Sequence, residues 1–150
     1  MFVLASVRHR SVGWKRRYRA VVSTIDPEDI AAMYERVGGD EWFTALVDHF
    51  YAEVERDPRL RPMYPDDLTD AKAHLVGFLI QYWGGPATYS EQRGHPRLRM
   101  RHQPFVIGPI ERDAWYAAMA SAVHASGLDT AAEQTFLTYF GMAATAMINH

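Results

Sequence analysis

The chain has no cysteine. That excludes disulfides, thiolate metal sites and covalent haem attachment through a Cys-x-x-Cys-His motif. No apolar run is long enough to cross a bilayer, so no transmembrane span is expected. No segment alternates polar and apolar residues over a useful length, which leaves no candidate strand. There is no His-Glu-x-x-His, no pair of histidines at helical spacing and no run of carboxylates, so a multi-ligand zinc site has little support. Fingerprints for flavin or nicotinamide are also missing, so redox turnover would need an external reductant.

What is present is a 150-residue chain that is 48% hydrophobic and 23% charged, enough for one domain with a sizeable core. The net charge of −2 hides an asymmetry. Residues 1–20 carry Arg8, Arg10, Lys15, Arg16, Arg17 and Arg19 and no acid, a charge of +6. The other 10 basic residues and all 18 acids leave the remainder at −8, a poor surface for nucleic acid. The apolar start MFVLASV precedes the basic residues, the reverse of a secretory signal. Residues 1–25 therefore read as a basic, disordered N-terminal extension, and 26–150 as the folded domain.

The domain reads as helices throughout. Asp26 is placed to cap a helix that Pro27 opens and Gly38-Gly39 end. Residues 40–58 put Phe43, Leu46, Val47, Phe50, Tyr51 and Val54 at helical spacing, and Pro58 closes the run. A third helix over 70–83 carries Ala71, Leu75, Phe78, Leu79 and Tyr82 on one face. A fourth starts at Pro109 with a stripe of Trp115, Met119, Ala122 and Val123. The last opens on TAAE, read as a capping box from Thr130 to Glu133. Only 84–108 lacks periodicity, and a loop of that length inside a compact domain is often functional.

That loop contains RGHPRLRMRH, residues 93–102, with four arginines and two histidines. A lone histidine such as His102 is more often a surface or satisfied core residue than a ligand. A solvated basic loop is the better reading for Arg93, Arg97 and Arg99 taken singly, and a cofactor-free helical module binding phosphate or a partner protein remains open on these residues. One metal, haem iron, needs only a single histidine, because the porphyrin supplies the equatorial ligands. Its propionates would give neighbouring arginines carboxylates to pair with.

Five segments carry a family resemblance: YERVGG (34–39), FY (50–51), LRPMYPDDL (60–68), QYWGGPATYSEQRGHPRLRMRH (81–102) and ERDAWYAAM (111–119). Together they resemble a truncated haemoglobin of group II, the actinobacterial type, over roughly residues 30–149. The resemblance implies an all-α, globin-like two-over-two helical sandwich (a truncated globin) around haem b, with its iron on His102. It implies that Arg101, Arg99 and Lys72 serve the propionates, with His74 as an alternative to Lys72, and that Leu75, Phe78 and Phe105 contact the cofactor. Tyr51, Tyr64 and Trp115 resemble the polar residues of the distal pocket, beside Ala71 and Leu75; Ala71 stands where vertebrate globins place a distal histidine. Without the resemblance, Tyr51 and Trp115 read as plain core. No catalytic residue is assigned.

The implied function is haem-based binding of O2, with NO, CO or peroxide as further ligands and slow release through a Tyr/Trp network. Oxygen transport, redox chemistry and NO or peroxide detoxification are uses it implies. The alternative is a catalytic haem protein, an NO dioxygenase or weak peroxidase, fed by an unknown reductant. A cytoplasmic location and a homo-oligomer are compatible with either reading, and no nucleic-acid partner is expected.

Overall fold

The computed structural model describes residues 25–94 and 98–150, with nothing described for the side chains of Leu98 and Arg99. Of the expected extension over 1–25, only Ile25 is among the described residues, and it is buried against the core.

Helix α1 spans Pro27–Val37. The Asp26 carboxylate accepts from the Glu28 N–H at 2.9 Å, and Gly38 ends the helix in the left-handed region at φ 116°, as its sequence signals predict. Helix α2 spans Gly39–Arg56 and buries the whole predicted stripe. A short 3-10 turn, Arg61–Met63, leads to α3, Thr69–Tyr82. Helix α6, Pro109–Ala125, and helix α7, Thr130–Ala146, follow the last two predicted helices.

Two expectations are corrected. The stretch 84–108 is not a structureless loop: it holds α4, Thr88–Arg93, and α5, Leu98–His102. Helices this short show too few turns for a period to register in sequence. The cap of α7 is Asp129 rather than Thr130. The Asp129 carboxylate accepts from the Ala132 N–H at 2.8 Å, and Thr130 is already helical. Glu133, expected to complete the box, instead meets His124 Nδ1 of α6 at 2.9 Å. Asp129 also takes the Arg36 guanidinium of α1 at 2.9 Å. The cap hydrogen bond from Ala132, followed by Arg36, holds the Asp129 carboxyl below the usual range.

The architecture is the two-over-two globin sandwich, all-helical among the described residues. Helices α2 and α3 form one pair and α6 and α7 the other; α2 packs on α6 as well as on α3. Among the described residues α3 and α6 make no close backbone approach. Aromatic rings span the layers instead. Trp83 meets Phe136 and Tyr82 meets Tyr139, each at 4.4 Å between centroids, joining the end of α3 to α7. Phe50 meets Trp115 at 5.4 Å, and Trp115 meets Phe140 at 5.9 Å. Such pairs contribute roughly 0.5–1.5 kcal/mol each beyond the area they bury. None of the described helices is long and apolar enough to cross a membrane.

The turn after α3 is built on close approach. The Tyr34 N–H donates to the Trp83 carbonyl at 2.9 Å, docking α3 on α1. Gly84 sits there at φ +96°, and a Cβ on it would lie 2.1 Å from the Ala31 carbonyl oxygen. Backbone cannot yield as a side-chain tip can. Gly84→Ala is therefore expected to cost about 2–4 kcal/mol and to lower the melting temperature by roughly 6–12 °C. Gly77, inside α3 with only ordinary contacts at 3.7 Å, should accept alanine with a gain of about 0.5–1 kcal/mol. Thermal unfolding of both variants checks the contrast; equal melting temperatures would contradict it.

Candidate functional site

His102 is the last residue of α5 and is 3% exposed, the one buried residue of polar or charged type among those described. Its carbonyl accepts from the Phe105 N–H at 3.0 Å, turning the chain directly after the helix. Phe105 is half-buried and packs on the core. A buried imidazole is a chemically competent nitrogen ligand when neutral.

Cations gather beside α5. Arg93, from the end of α4, donates to His74 Nε2 on α3. Arginine only donates, so His74 carries its own proton on Nδ1. Burial first, and then the Arg93 charge, lower the His74 pKa; Arg101 acts in the same direction, while Asp70 opposes. His74 is therefore neutral at pH 7, and the positive charge resides on the arginines. Arg101 is half-buried. Lys72 pairs with Asp48 of α2 at 3.4 Å, so its ammonium has a carboxylate partner of its own. Arg99's side chain lies outside the described residues. Among the expected cationic residues the structure thus brings Arg101 near His74, sets Lys72 against α2, and adds Arg93, which had been read as solvated loop.

On α2 and α3 the expected distal residues are all buried. Ala71, Leu75 and Phe78 share the inner face of α3. Tyr51 is 1% exposed and meets the Tyr64 ring edge-on at 5.6 Å. Tyr64 follows the 3-10 turn, which Arg61 fastens by donating to the carbonyls of Tyr64, Pro65 and Asp66. Trp115 on α6 reaches this group through Phe50, which touches both Tyr51 and Trp115. Burial pushes the Tyr51 hydroxyl well above its ordinary pKa, so it stays protonated and remains a donor. Neither the Tyr51 nor the Tyr64 hydroxyl has a hydrogen-bond partner among the described residues. Buried hydroxyls are usually satisfied, because an unmet one costs about 1–3 kcal/mol. Two such groups in ring contact make a site able to donate to a small acceptor.

Sequence reasoning missed Asn149. Its side chain reaches the carbonyls of His102 and Phe105 and the N–H of Ile107. No local pattern could have found it, since these three partners are backbone atoms 42 to 47 positions away; its Oδ1 also meets the neighbouring His150 Nδ1 at 2.8 Å. A surface groove of about 530 Å³ between the end of α2 and α6 involves none of the candidate residues. Its arginines are already paired, Arg56 with Glu53 and Arg59 with Asp57.

The family described as Bacterial-like globin matches residues 32–149. The group 2 truncated haemoglobin YjbI of Bacillus subtilis is 40% identical over 118 residues, 79% of this chain and 89% of that protein. A thermostable haemoglobin from the actinobacterium Thermobifida fusca has a crystal structure 55% identical to this chain. Its TM-score is 0.75 over 77% of this chain and 95% of that one. A truncated oxygen-avid haemoglobin from Bacillus subtilis is 40% identical, with a TM-score of 0.73 over 77% of this chain and 98% of that one.

The unmet hydroxyls make a prediction independent of any ligand. In haem-free protein, Tyr51→Phe removes a buried donor that has no acceptor while keeping the ring. Stability should stay level or rise by about 1 kcal/mol. Chemical denaturation of the two haem-free proteins measures it. A loss above about 1 kcal/mol would mean that the hydroxyl serves the fold.

Proposed function

We propose a function that starts from family membership: this chain belongs to the bacterial-like globins and is a group II truncated haemoglobin. Haem-based ligand binding follows from that membership. The finer reading is reversible binding of O2, and of NO, CO or peroxide as further ligands, with slow release imposed by buried phenol and indole donors. One observation carries it: Tyr51 and Tyr64 are buried in ring contact, and neither hydroxyl meets an acceptor among the described residues.

The residues fit a haem of the b type. His102 offers a buried nitrogen on a chain without cysteine. Ala71, Leu75, Phe78 and Phe105 supply apolar surface for a porphyrin. Arg101 and Arg93, with neutral His74 on α3, would supply donors for its carboxylates; Arg99 is a further candidate, and Lys72 would first have to leave Asp48. When bound, haem supplies the iron at which a diatomic ligand coordinates reversibly. His102 would hold the cofactor by its imidazole. The Tyr51 hydroxyl, kept protonated by burial, would donate to a ligand that carries negative charge. Tyr64 backs it from the same cluster, and the Trp115 indole adds a third donor and a wall. These bonds are stronger to a charged acceptor than to a neutral one, so they lower the energy of the liganded state selectively. That direction accords with the oxygen-avid behaviour stated for the Bacillus subtilis relative.

Tight retention suits scavenging, sensing or redox use of the ligand better than carriage. Peroxidase chemistry ordinarily uses a strong proton-transfer group beside the ligand, and Ala71 offers none at its position. NO dioxygenation or weak peroxidase turnover would draw on an external reductant. The reading places the protein in the cytoplasm, where reductants that keep haem iron ferrous are present, and assigns haem binding to residues 26–150, with the basic extension not required.

Purified protein should show a Soret band, and His102→Ala should lose the five-coordinate ferrous spectrum. A hydrogen bond to a charged group contributes roughly 1.5–3 kcal/mol, at ~1.4 kcal/mol per tenfold. Stopped-flow O2 dissociation should therefore be about ten- to a hundredfold faster in Tyr51→Phe and in Trp115→Phe. Unchanged release rates in both would overturn the distal network, and lack of a Soret band would overturn the whole reading. Arg101→Ala is expected to speed haem transfer to an acceptor globin while leaving ligand spectra similar. An unchanged transfer rate would return Arg101 to the solvated surface.

A further inference from the structure

We propose that Asn149 is a positioning residue for His102: it fixes the backbone on which the imidazole is mounted, and so sets how the imidazole meets its metal. The inference rests on the reading of His102 as the haem ligand.

The geometry begins with an end that the helix itself cannot satisfy. The last carbonyls of a helix have no intrahelical donor, and α5 has only five residues. The His102 carbonyl takes the Phe105 N–H at 3.0 Å and the Asn149 Nδ2 at 3.3 Å. The same Nδ2 donates to the Phe105 carbonyl at 2.9 Å. On its other side, Asn149 Oδ1 accepts from the Ile107 N–H at 2.9 Å. The Asn149 backbone N–H then donates to the Ile107 carbonyl at 2.9 Å, and that of His150 follows at 3.3 Å. Asn149 thus bonds both the N–H and the carbonyl of Ile107, while its side-chain nitrogen holds the carbonyls of His102 and Phe105. Ile107 is fully buried, which ties this corner to the core.

The chemistry demands asparagine. One end of the side chain must accept and the other must donate twice; the three partners in 102–107 are backbone atoms, and the His150 Nδ1 meets the same Oδ1 at 2.8 Å. Aspartate keeps the acceptor but has no donor for the carbonyls. Leucine matches the size and offers neither. Orientation of a metal-bound histidine is commonly set by what holds its ring; here the support reaches the ring through the main chain. Displacing the 102–105 carbonyls would rotate or tilt the imidazole, which a metal–nitrogen bond senses directly.

The test uses the full-length ferrous holoprotein without added ligand. Resonance Raman spectroscopy reads the iron–histidine stretch, and transfer to excess apomyoglobin reads haem loss. Asn149→Asp and Asn149→Leu should each shift the stretch and speed haem loss, roughly tenfold for aspartate and more for leucine. Val106→Ala, at an exposed side chain beside the corner, leaves every hydrogen bond of Asn149 in place and should change neither. If the leucine variant holds no haem, the aspartate variant still gives the reading, because it retains the Ile107 contact. An unmoved stretch with unchanged haem loss in Asn149→Asp, even with a lower melting temperature, would make Asn149 a fold clamp and overturn the proposal. The two readings fail differently. A stretch that survives His102→Ala would overturn the ligand assignment and this inference with it. A stretch that is lost in His102→Ala but indifferent to Asn149 would overturn this inference alone.

Discussion

A helix of five residues cannot hold a ligand in place by its own hydrogen bonds. Nucleating a helical turn is unfavourable in water, and short isolated helices do not persist. Yet α5 ends on the buried His102, the residue proposed as the haem ligand. The remainder of the fold therefore has to supply the rigidity. The turn from His102 to Phe105 and the clamp from Asn149 secure one end. The two helix pairs, joined by rings from Phe50 through Trp115 to Phe140, keep the frame that receives it. Long helices provide the stability here, and a short one carries the proposed ligand.

Much of that frame is legible in the sequence, and the legible parts are those with local causes. Asp26-Pro27 opens α1 and Gly38 closes it because a cap, a fixed φ and a left-handed turn are properties of one or two residues. The apolar stripe of α2 is buried residue for residue because a helix eighteen residues long shows its period several times over. The failures have the converse cause. Helices α4 and α5 are too short to display a period. At α7 two capping residues compete, and the pattern at Thr130 loses to Asp129, whose carboxylate both caps the helix and meets Arg36 from α1. The second of those contacts spans 93 positions, so a local rule cannot weigh it.

The candidate site divides along the same line. His102 is found through a specific motif around it. Tyr51 and Trp115 lie on apolar stripes, and periodicity alone makes them core, which by burial they are. What distinguishes Tyr51 from core is the unmet hydroxyl, and that is visible only in three dimensions. The arginines of 93–102 show the opposite ambiguity: composition suggests a common anion, while folding sends Arg93 to His74. Lys72 is drawn to Asp48 instead. Asn149 leaves no trace in its own neighbourhood. It acts on backbone atoms, and backbone atoms have no residue identity to read.

Unmet donors and a borrowed scaffold are two expressions of one trade. A chain selected for stability alone would carry phenylalanine at Tyr51 and Tyr64, since a buried hydroxyl without an acceptor is a cost of about 1–3 kcal/mol. Retaining both keeps donors dry, protonated and fixed before any ligand arrives, so little reorganisation is needed when charge appears beside them. The same logic applies on the histidine side. An imidazole carried on a long rigid helix would need little outside help. One carried on a five-residue helix can be set by the residues that hold its carbonyl. On the proposed reading, ligand retention would be tuned from two directions: by the buried Tyr51 and Trp115 donors, and by the Asn149 clamp on the backbone that carries His102. Neither adjustment would require the helix pairs to move, because the donors sit on long helices and the clamp acts on a short one.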